Sequence, residues 1–315
     1  MATPLSLKEL SKKEERLTSG HRMCSGCGAP IVVKMVMLAT DYPVIASNAT
    51  GCLEVSTCIQ QFTSWNIPWI HNAFENAAAT LSGVETMYRS LKKQGKIDQE
   101  IKFIAFGGDG GTYDIGFQSL SGAMERGHDM IYVCYDNGAY MNTGIQRSSA
   151  TPLGADTTTC PVGSQNPGKV QERKDLTRIM AAHGIPYVAQ ASPSNWADLM
   201  KKVRKAHEIK GPKFINIIAP CNRGWRSKTD DAITLSRIAV DTCYWPLFEI
   251  ENGVTKVTYK PKEKKPLVEF LKPQGRFKHL FAPENEWLLQ KTQEVVDRNW
   301  ERLLREEEFT NPKSE

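Results

Sequence analysis

The 315-residue sequence has no long apolar segment. Its most apolar stretches, such as MIYVCY and FINIIAP, have the length of a strand, whereas a membrane-spanning helix needs about 20 apolar residues. The first 20 residues also lack the apolar core that a secretory signal requires. We therefore predict a cytoplasmic protein that does not enter a membrane.

Several catalytic and nucleotide-binding motifs are also absent. There is no Gly-x-Ser-x-Gly, so a serine hydrolase has no support. The glycine-rich GGDGG is not a dinucleotide-binding motif, because from Gly108 the third glycine would fall on Tyr113. No Gly-Lys-Ser/Thr follows, which excludes a P-loop. The net charge of +5 is small and spread along the chain, so nucleic acid is not an expected partner.

The eight cysteines indicate ligands, catalytic groups or buried thiols, because disulfides are rare in a reducing cytoplasm. Cys24 and Cys27 have a spacing that zinc sites, redox dithiols and iron–sulfur clusters share. Cys52 and Cys221 each follow a predicted strand and can join them, and Cys58 is a rival fourth ligand. These residues alone leave a structural zinc ion and an iron–sulfur cluster equally open.

The order of apolar segments predicts the fold class. Between residues 29 and 220, strand-length apolar runs alternate with helical ones, which predicts an α/β fold with a mostly parallel sheet flanked by helices. Cys134 lies inside one such strand and is predicted to be a core residue. We divide the chain into a polar arm (1–20), an α/β domain (21–243), and a C-terminal hairpin with a helical extension (244–315), the hairpin being indicated by Asn-Gly.

Four polar segments follow predicted strands, namely NATGC, GGDGG, DNGAYMN and APC. Ligands of such sheets bind beyond the carboxyl ends of the strands, so these segments are expected to meet. Asp109 lies among glycines whose N–H groups can approach phosphate, and its carboxylate suits Mg²⁺. A glycine-rich turn that caps a helix would explain GDGG alone. It would not explain Asn137, which follows 28 residues later on the next strand, in the pattern of thiamine diphosphate enzymes.

Six segments closely resemble the β subunit of multisubunit 2-oxoacid:ferredoxin oxidoreductases of the pyruvate:ferredoxin type, the branch to which oxalate oxidoreductase belongs. They are GHRMCSGCGAP, NATGCLEVST, PWIHNAFENAAA, GGDGGTYDIG, YDNGAYMNTG and WPLFEIENG. They occur in the family's order over most of the chain. The resemblance implies a thiamine diphosphate-binding fold and three cofactors: thiamine diphosphate, Mg²⁺ and one [4Fe–4S] cluster.

The resemblance also implies which cysteines bind the cluster. By position they are Cys24, Cys27, Cys52 and Cys221, so the family pattern favours Cys221 over Cys58.

The cofactor contacts follow from the resemblance in the same way. Asp109, Asn137 and the backbone carbonyl of Ala139 match the Mg²⁺ ligands. Three further positions are expected to contact thiamine diphosphate, and the last of them is also the predicted catalytic residue: Gly51, Gly110 and Asn142.

The implied reaction needs other chains. In the family, the cofactor attacks the 2-oxo carbon, CO₂ leaves, and electrons pass singly to the cluster and then to ferredoxin. A glutamate that acts on the aminopyrimidine comes from another subunit. No C-x₂-C-x₂-C-x₃-C-P run is present here, so further [4Fe–4S] clusters are also expected on partner subunits. A non-redox thiamine decarboxylase subunit would leave the cysteines unexplained, and a zinc-ribbon interaction module would leave GDGG and DNGAYMN unexplained.

One departure bears on the substrate. Pyruvate-type relatives tend to carry Tyr-Pro-Tyr after CLEVST, whereas this chain reads CIQQFTSW. If this segment borders the substrate pocket, Gln60 and Gln61 favour oxalate over pyruvate, and coenzyme A would be needed only with pyruvate. Glutamines that face the surface or another subunit would have no such effect.

Overall fold

The computed structural model describes residues 6–59 and 61–311. The strands are β1 (Val44–Ala49), β2 (Trp69–Asn72), β3 (Lys102–Gly108), β4 (Ile131–Asp136), β5 (Val162–Gly163), β6 (Asn166–Pro167), β7 (Tyr187–Ala191), β8 (Lys213–Ile218), β9 (Leu247–Glu251) and β10 (Val254–Tyr259). The α-helices are α1 (Leu7–Leu10), α2 (Gly28–Leu38), α3 (Cys52–Thr57), α4 (Ala77–Lys93), α5 (Phe117–Glu125), α6 (Leu176–Ala181), α7 (Trp196–Glu208), α8 (Asn222–Trp225), α9 (Ala232–Asp241), α10 (Val268–Leu271) and α11 (Glu286–Thr310).

Eight strands form one sheet in the order β10-β9-β7-β8-β4-β3-β1-β2. The six strands from β7 to β2 run parallel to their neighbours. The β9–β10 hairpin extends the sheet, with β9 antiparallel to β7. Asn252 and Gly253 both have positive φ (48° and 83°), as a two-residue hairpin turn requires. The predicted mostly parallel sheet and the hairpin are therefore confirmed.

Both faces of the sheet are covered, because successive residues of a strand point to opposite sides. Ile104 and Phe106 pack in a core with α2 and α7. Phe103 and Ala105 pack in the opposite core with α4, α5 and α6. Cys134 is completely buried there, as predicted. This double burial explains why the central strands read as continuous apolar runs.

The two ends of the chain also pack against this body. In the N-terminal segment, Leu17 is completely buried and forms a β-bridge with Trp65. The C-terminal helices form a third core, which includes Trp225, Trp245 and Phe270. The division into an arm, a domain and an extension stays a prediction. None of the helices described here is long and apolar enough to cross a bilayer.

Two elements differ from the sequence-based expectation. β2 was not predicted; it is a short, partly exposed strand at the edge of the sheet, so its sequence lacks a continuous apolar run. The helix expected over 113–127 begins instead as a π-helix, Gly110–Ile115, directly after Asp109. The N–H of Gly116 donates to the carbonyl of Gly111 at 2.7 Å, five residues back. Such wide turns occur frequently at functional sites.

Candidate functional site

The four polar segments predicted to meet do lie at one edge of the sheet. β8, β4, β3 and β1 are consecutive neighbours and run parallel, so their carboxyl ends are side by side. They lead, in this order, to Cys221, Asn137, Asp109 and Cys52. The predicted shared location is confirmed, and it places a carboxylate and an amide between two cysteines.

The Asp109 carboxylate is completely buried and is held from two sides. Its Oδ1 accepts a hydrogen bond from the backbone N–H of Asn137 at 3.2 Å, and its Oδ2 accepts one from the Ser148 hydroxyl at 2.5 Å. Burial and the nearby charge of Asp136 raise the pKa of Asp109. A buried carboxylate with fixed orientation is suited to bind a cation, which would offset the cost of its burial.

The side-chain amide of Asn137 completes a small polar cluster. One of its two terminal atoms lies 2.9 Å from both Asp109 Oδ1 and the carbonyl oxygen of Ala139. If this atom is nitrogen, it donates to both oxygens. If it is oxygen, three oxygens face one another and need a cation between them. Neighbouring oxygens around an octahedral Mg²⁺ are about 2.9 Å apart, because each Mg–O bond is about 2.0–2.1 Å. The second orientation therefore fits Mg²⁺.

A crevice opens beside this cluster, and glycines form part of its wall. A Cβ on Gly110 would lie 2.3 Å from the Tyr140 ring, and one on Gly51 would lie 2.9 Å from the Tyr135 hydroxyl. A side chain at either position would meet these tyrosines, so their close approach to the backbone requires glycine there. The predicted cofactor contacts along this crevice are Gly51, Gly110, Asn137, Ala139 and Asn142.

Close backbone packing positions the loop of the first two cysteines. The N–H of Gly28 donates to the carbonyl of Pro220 at 2.9 Å, which joins Cys27 to the segment that ends at Cys221. Gly26 has a φ of +77°, and a Cβ there would lie 1.9 Å from the carbonyl oxygen of Thr229. The glycines of CSGCG therefore let this loop pack against the chain around residues 220–229.

The four predicted cluster ligands lie within electrostatic range of one another, with Cys24 exposed and the other three half-buried. The pKa of Cys27 is raised to about 12, mainly by burial and further by the neighbouring Cys221, Cys52 and Cys24. The pKa of Cys52 is raised to about 12 by burial, by Cys221 and Cys24, and also by Asp109. Cys52 therefore adjoins both the cysteine group and the carboxylate.

Cys58, the rival ligand, has a different neighbour. Its thiol donates to Glu54 Oε1 at 3.2 Å, and this carboxylate also lies 3.2 Å from His71 Nδ1. Within residues 6–59 and 61–311, no three His, Cys, Asp or Glu side chains form a group that could hold a single metal ion.

A buried network lies behind Asp109 and was not predicted. The Asp136 carboxylate accepts hydrogen bonds from Arg173 Nη2 and from the Tyr113 hydroxyl, both at 2.6 Å. Asn216 donates to the same hydroxyl at 2.7 Å. Arg173 is thus paired with Asp136, and among the described residues it forms no ion pair with Asp109.

Ser148 was missed as well, because it lies in the long irregular segment 138–169 and has no motif of its own. Asn142 lies on the rim of the crevice and is exposed. Gln61 is exposed and does not line the crevice, and Gln60 lies outside the described residues. Within this chain, the polar segment that suggested oxalate therefore has no contact with the site through Gln61.

Comparison with a family model agrees with this geometry. Residues 49–217, just over half of the chain, match the model "Thiamine pyrophosphate enzyme, C-terminal TPP binding domain". The matched region includes Cys52, Asp109 and Asn137. It does not include the CSGCG loop or Cys221.

Relatives match over nearly the whole chain. The chain is 54% identical over 320 residues to the pyruvate synthase subunit PorB of Thermotoga maritima, covering 98% of this chain and 99% of the relative. It is 44% identical over 292 residues to the ketoisovalerate oxidoreductase subunit VorB of Pyrococcus abyssi, covering 92% and 93%.

A solved structure shares the fold. It is the 2-oxoglutarate:ferredoxin oxidoreductase of Magnetococcus marinus with 2-oxoglutarate, coenzyme A and succinyl-CoA bound. The TM-score is 0.56 at 21% identity, and the alignment covers 75% of this chain and 84% of that chain.

The packing of Gly26 leads to a stability prediction. Gly26→Ala introduces both a positive-φ strain and a clash with the backbone of Thr229, whereas Gly20→Ala introduces only the strain, since nothing lies within 4 Å of its Cβ. We expect Gly26→Ala to lower the free energy of unfolding by about 1–3 kcal/mol more than Gly20→Ala. Urea denaturation of the two variants measures this difference, and equal losses would contradict the proposed packing of the loop.

Proposed function

Because the chain belongs to the family of PorB- and VorB-type β subunits of 2-oxoacid:ferredoxin oxidoreductases, we propose that it carries both thiamine diphosphate with Mg²⁺ and one [4Fe–4S] cluster. We further propose that its complex oxidatively decarboxylates pyruvate in the cytoplasm and reduces ferredoxin. The observation that carries the proposal is that the candidate Mg²⁺ ligands and two of the candidate cluster ligands follow neighbouring strands at one edge of the sheet. The Asp109–Asn137 pair lies between the strand ends that lead to Cys52 and Cys221.

Mg²⁺ would be bound by Asp109, Asn137 and the carbonyl of Ala139. With the amide oxygen of Asn137 turned toward Asp109 and Ala139, its 2.9 Å separations from their oxygens would fit an octahedral shell. Mg²⁺ would also supply the positive charge that the buried Asp109 carboxylate lacks. The diphosphate would then lie along the crevice, whose wall includes Gly51 and Gly110.

The cluster would be bound by Cys24, Cys27, Cys52 and Cys221. Their mutual electrostatic influence supports this set, and Cys58 is instead hydrogen-bonded to a carboxylate. Each cysteine of a [4Fe–4S] cluster binds a different iron, so the four sulfurs do not have to lie as close together as around one zinc ion. The absence of a compact single-ion group among the described residues is compatible with this arrangement.

When bound, thiamine diphosphate would supply the carbanion and the electron sink for decarboxylation, and the cluster would supply a one-electron acceptor. The part of this chain is to hold both groups close together. Asp109 and Asn137, both buried, would hold the metal end of the cofactor away from bulk water. Cys52 adjoins Asp109, which keeps the two binding groups adjacent. Asn142, on the rim of the crevice, would act at the reacting end of the cofactor.

Other chains would complete the enzyme. Partner subunits would supply the glutamate for the aminopyrimidine and the further clusters that lead to ferredoxin. Pyruvate with coenzyme A is the favoured substrate pair, because the PorB relative matches nearly the whole chain and Gln61 does not line the crevice. Oxalate is the second candidate, and the polar CIQQF segment is the observation that favours it.

Ser148→Ala tests the Mg²⁺ site. The variant removes the hydroxyl that donates to Asp109, so the ionised carboxylate loses a partner worth about 1.5–3 kcal/mol. We expect Mg²⁺ affinity in the presence of thiamine diphosphate to fall about tenfold or more, measured by titrating the cofactor-depleted complex. Ser149→Ala is the control, because no hydrogen bond of its hydroxyl is found among the described residues. Equal affinities in the two variants would contradict the role of Ser148.

Cys221→Ser and Cys58→Ser test the cluster ligands. Serine preserves the shape of each side chain, but it is a poor iron ligand in place of thiolate. We expect Cys221→Ser to lose about four iron atoms per β subunit and Cys58→Ser to lose none. Anaerobic analysis of the purified complexes measures the iron, sulfide and zinc content per β subunit. Iron retained in Cys221→Ser and lost in Cys58→Ser would show that Cys58, and not Cys221, is the fourth ligand. One zinc ion per β subunit would favour the zinc-site alternative.

Viologen reduction by the anaerobically purified native complex tests the substrate. We expect reduction with pyruvate when coenzyme A is present and no reduction with oxalate. Reduction with oxalate in the absence of coenzyme A would overturn the pyruvate assignment and direct attention to Gln60 and Gln61. Decarboxylation of a 2-oxoacid without viologen reduction would instead favour a non-redox thiamine enzyme.

A further inference from the structure

Arg276 carries a buried positive charge without an acidic partner. Its side chain is 3% exposed, and its Nε donates to Oε1 of the neutral Gln274 at 3.0 Å. Among the ion pairs of the described residues there is none to Arg276. Burial lowers the pKa of Arg276 to about 10, so the group stays charged at neutral pH. An unpaired buried charge is costly, so it calls for a negative group that this chain alone does not provide.

The position of Arg276 indicates where that negative group would lie. Its guanidinium is 4.4 Å from the ring centroid of Trp225, which ends the short helix that Cys221 caps. The Trp225 indole donates to the carbonyl of Asn137 at 2.6 Å. On its other side, Arg276 Nη1 is 3.0 Å from the place of a Cβ on Gly138. Arg276 therefore packs between the helix Asn222–Trp225, which Cys221 caps, and the loop after β4.

The nearby carboxylates do not account for this charge. Asp136 is already paired with Arg173 at 2.6 Å. Asp109 is held by Ser148 and the Asn137 backbone, and in the proposed function its charge is matched by Mg²⁺. Cys221 is the N-cap of the short helix that ends at Trp225, over whose ring the guanidinium lies, and it would become a thiolate on binding the cluster.

We propose that Arg276 raises the reduction potential of the cluster bound by Cys221. This inference rests on the proposed function, in which Cys221 is a cluster ligand. Four thiolates make the site negative, and one-electron reduction adds a further negative charge. A nearby cation in a buried setting favours the reduced form, because the surroundings screen the interaction weakly. Arg276 would thus be a positioning residue that acts on the electron acceptor through its charge.

The amide at Gln274 is part of this arrangement. Gln274 is completely buried and donates to the carbonyl of Phe270 at 2.5 Å, so its oxygen is fixed toward Arg276. It holds the guanidinium in place and leaves its charge intact. A glutamate at the same position would form a buried ion pair and cancel that charge.

Two charge-cancelling variants of the native complex test the inference. Arg276→Gln deletes the cation, and Gln274→Glu neutralises it with the arginine still present. Arg276→Lys keeps the charge. Arg226→Gln is the control, since Arg226 has a 49% exposed side chain and pairs with Asp156. The readout is a potentiometric titration followed by electron paramagnetic resonance, on the reduced-cluster signal that Cys221→Ser removes.

We expect Arg276→Gln and Gln274→Glu to lower the reduced-to-oxidised ratio at any set potential about tenfold, which is about 59 mV for one electron. In Arg276→Lys and Arg226→Gln, the reduced-to-oxidised ratio at the same potential should stay within about twofold of that in the unmodified complex. An unchanged midpoint in Arg276→Gln and Gln274→Glu, at full iron content, would overturn the inference and leave the proposed function standing. If Arg276→Gln loses iron, the midpoint potential of Gln274→Glu at full iron content tests the inference in its place. Absence of any Cys221-dependent signal from the unmodified complex would instead overturn the proposed function.

Discussion

The burial of one carboxylate, that of Asp109, is the constraint on which the rest of the site depends. Asp109 follows β3 and is completely buried, and an ionised group in the interior needs hydrogen bonds or a positive charge to offset the loss of hydration. The Asn137 backbone N–H and the Ser148 hydroxyl donate to this carboxylate, whereas Arg173 forms its ion pair with Asp136. In the proposed function, a bound Mg²⁺ would supply the positive charge that the ionised carboxylate needs. Gly51 and Gly110 form part of the wall of the crevice beside this carboxylate.

The same sheet edge would allow a thiamine cofactor and a cluster to be held side by side in the proposed function. Cys52 and Cys221 follow the strands on either side of the Asp109–Asn137 pair, and the CSGCG loop packs onto the segment before Cys221. A group held by these cysteines would be separated from the crevice by only a few side chains. Trp225 bridges the two regions through its hydrogen bond to the loop after β4. In the proposed function, parallel topology would provide the short distance that electron transfer from a thiamine-bound substrate requires.

Much of this arrangement was predictable, because its signals are local in sequence. Apolar runs identified β3, β4 and β8, and the polar segments after them identified the site, since ligands bind beyond the carboxyl ends of parallel strands. The resemblance to a family then selected Cys221 over Cys58. Ser148, in an irregular segment, and Arg276, in a 3₁₀-helix (Gly275–Phe281), could not be predicted, because tertiary packing that leaves no periodic pattern in the sequence brings them there. The edge strand β2 was missed for a related reason, as it is short and half exposed.

The most direct test of the account is anomalous diffraction at the iron absorption edge from crystals of the native complex. The account predicts an iron peak enclosed by Cys24, Cys27, Cys52 and Cys221, next to density for thiamine diphosphate and a cation at Asp109, Asn137 and Ala139. A zinc peak among the cysteines, or an iron-free cysteine group beside a loaded cofactor crevice, would contradict the central claim that this subunit holds the cofactor and its electron acceptor together.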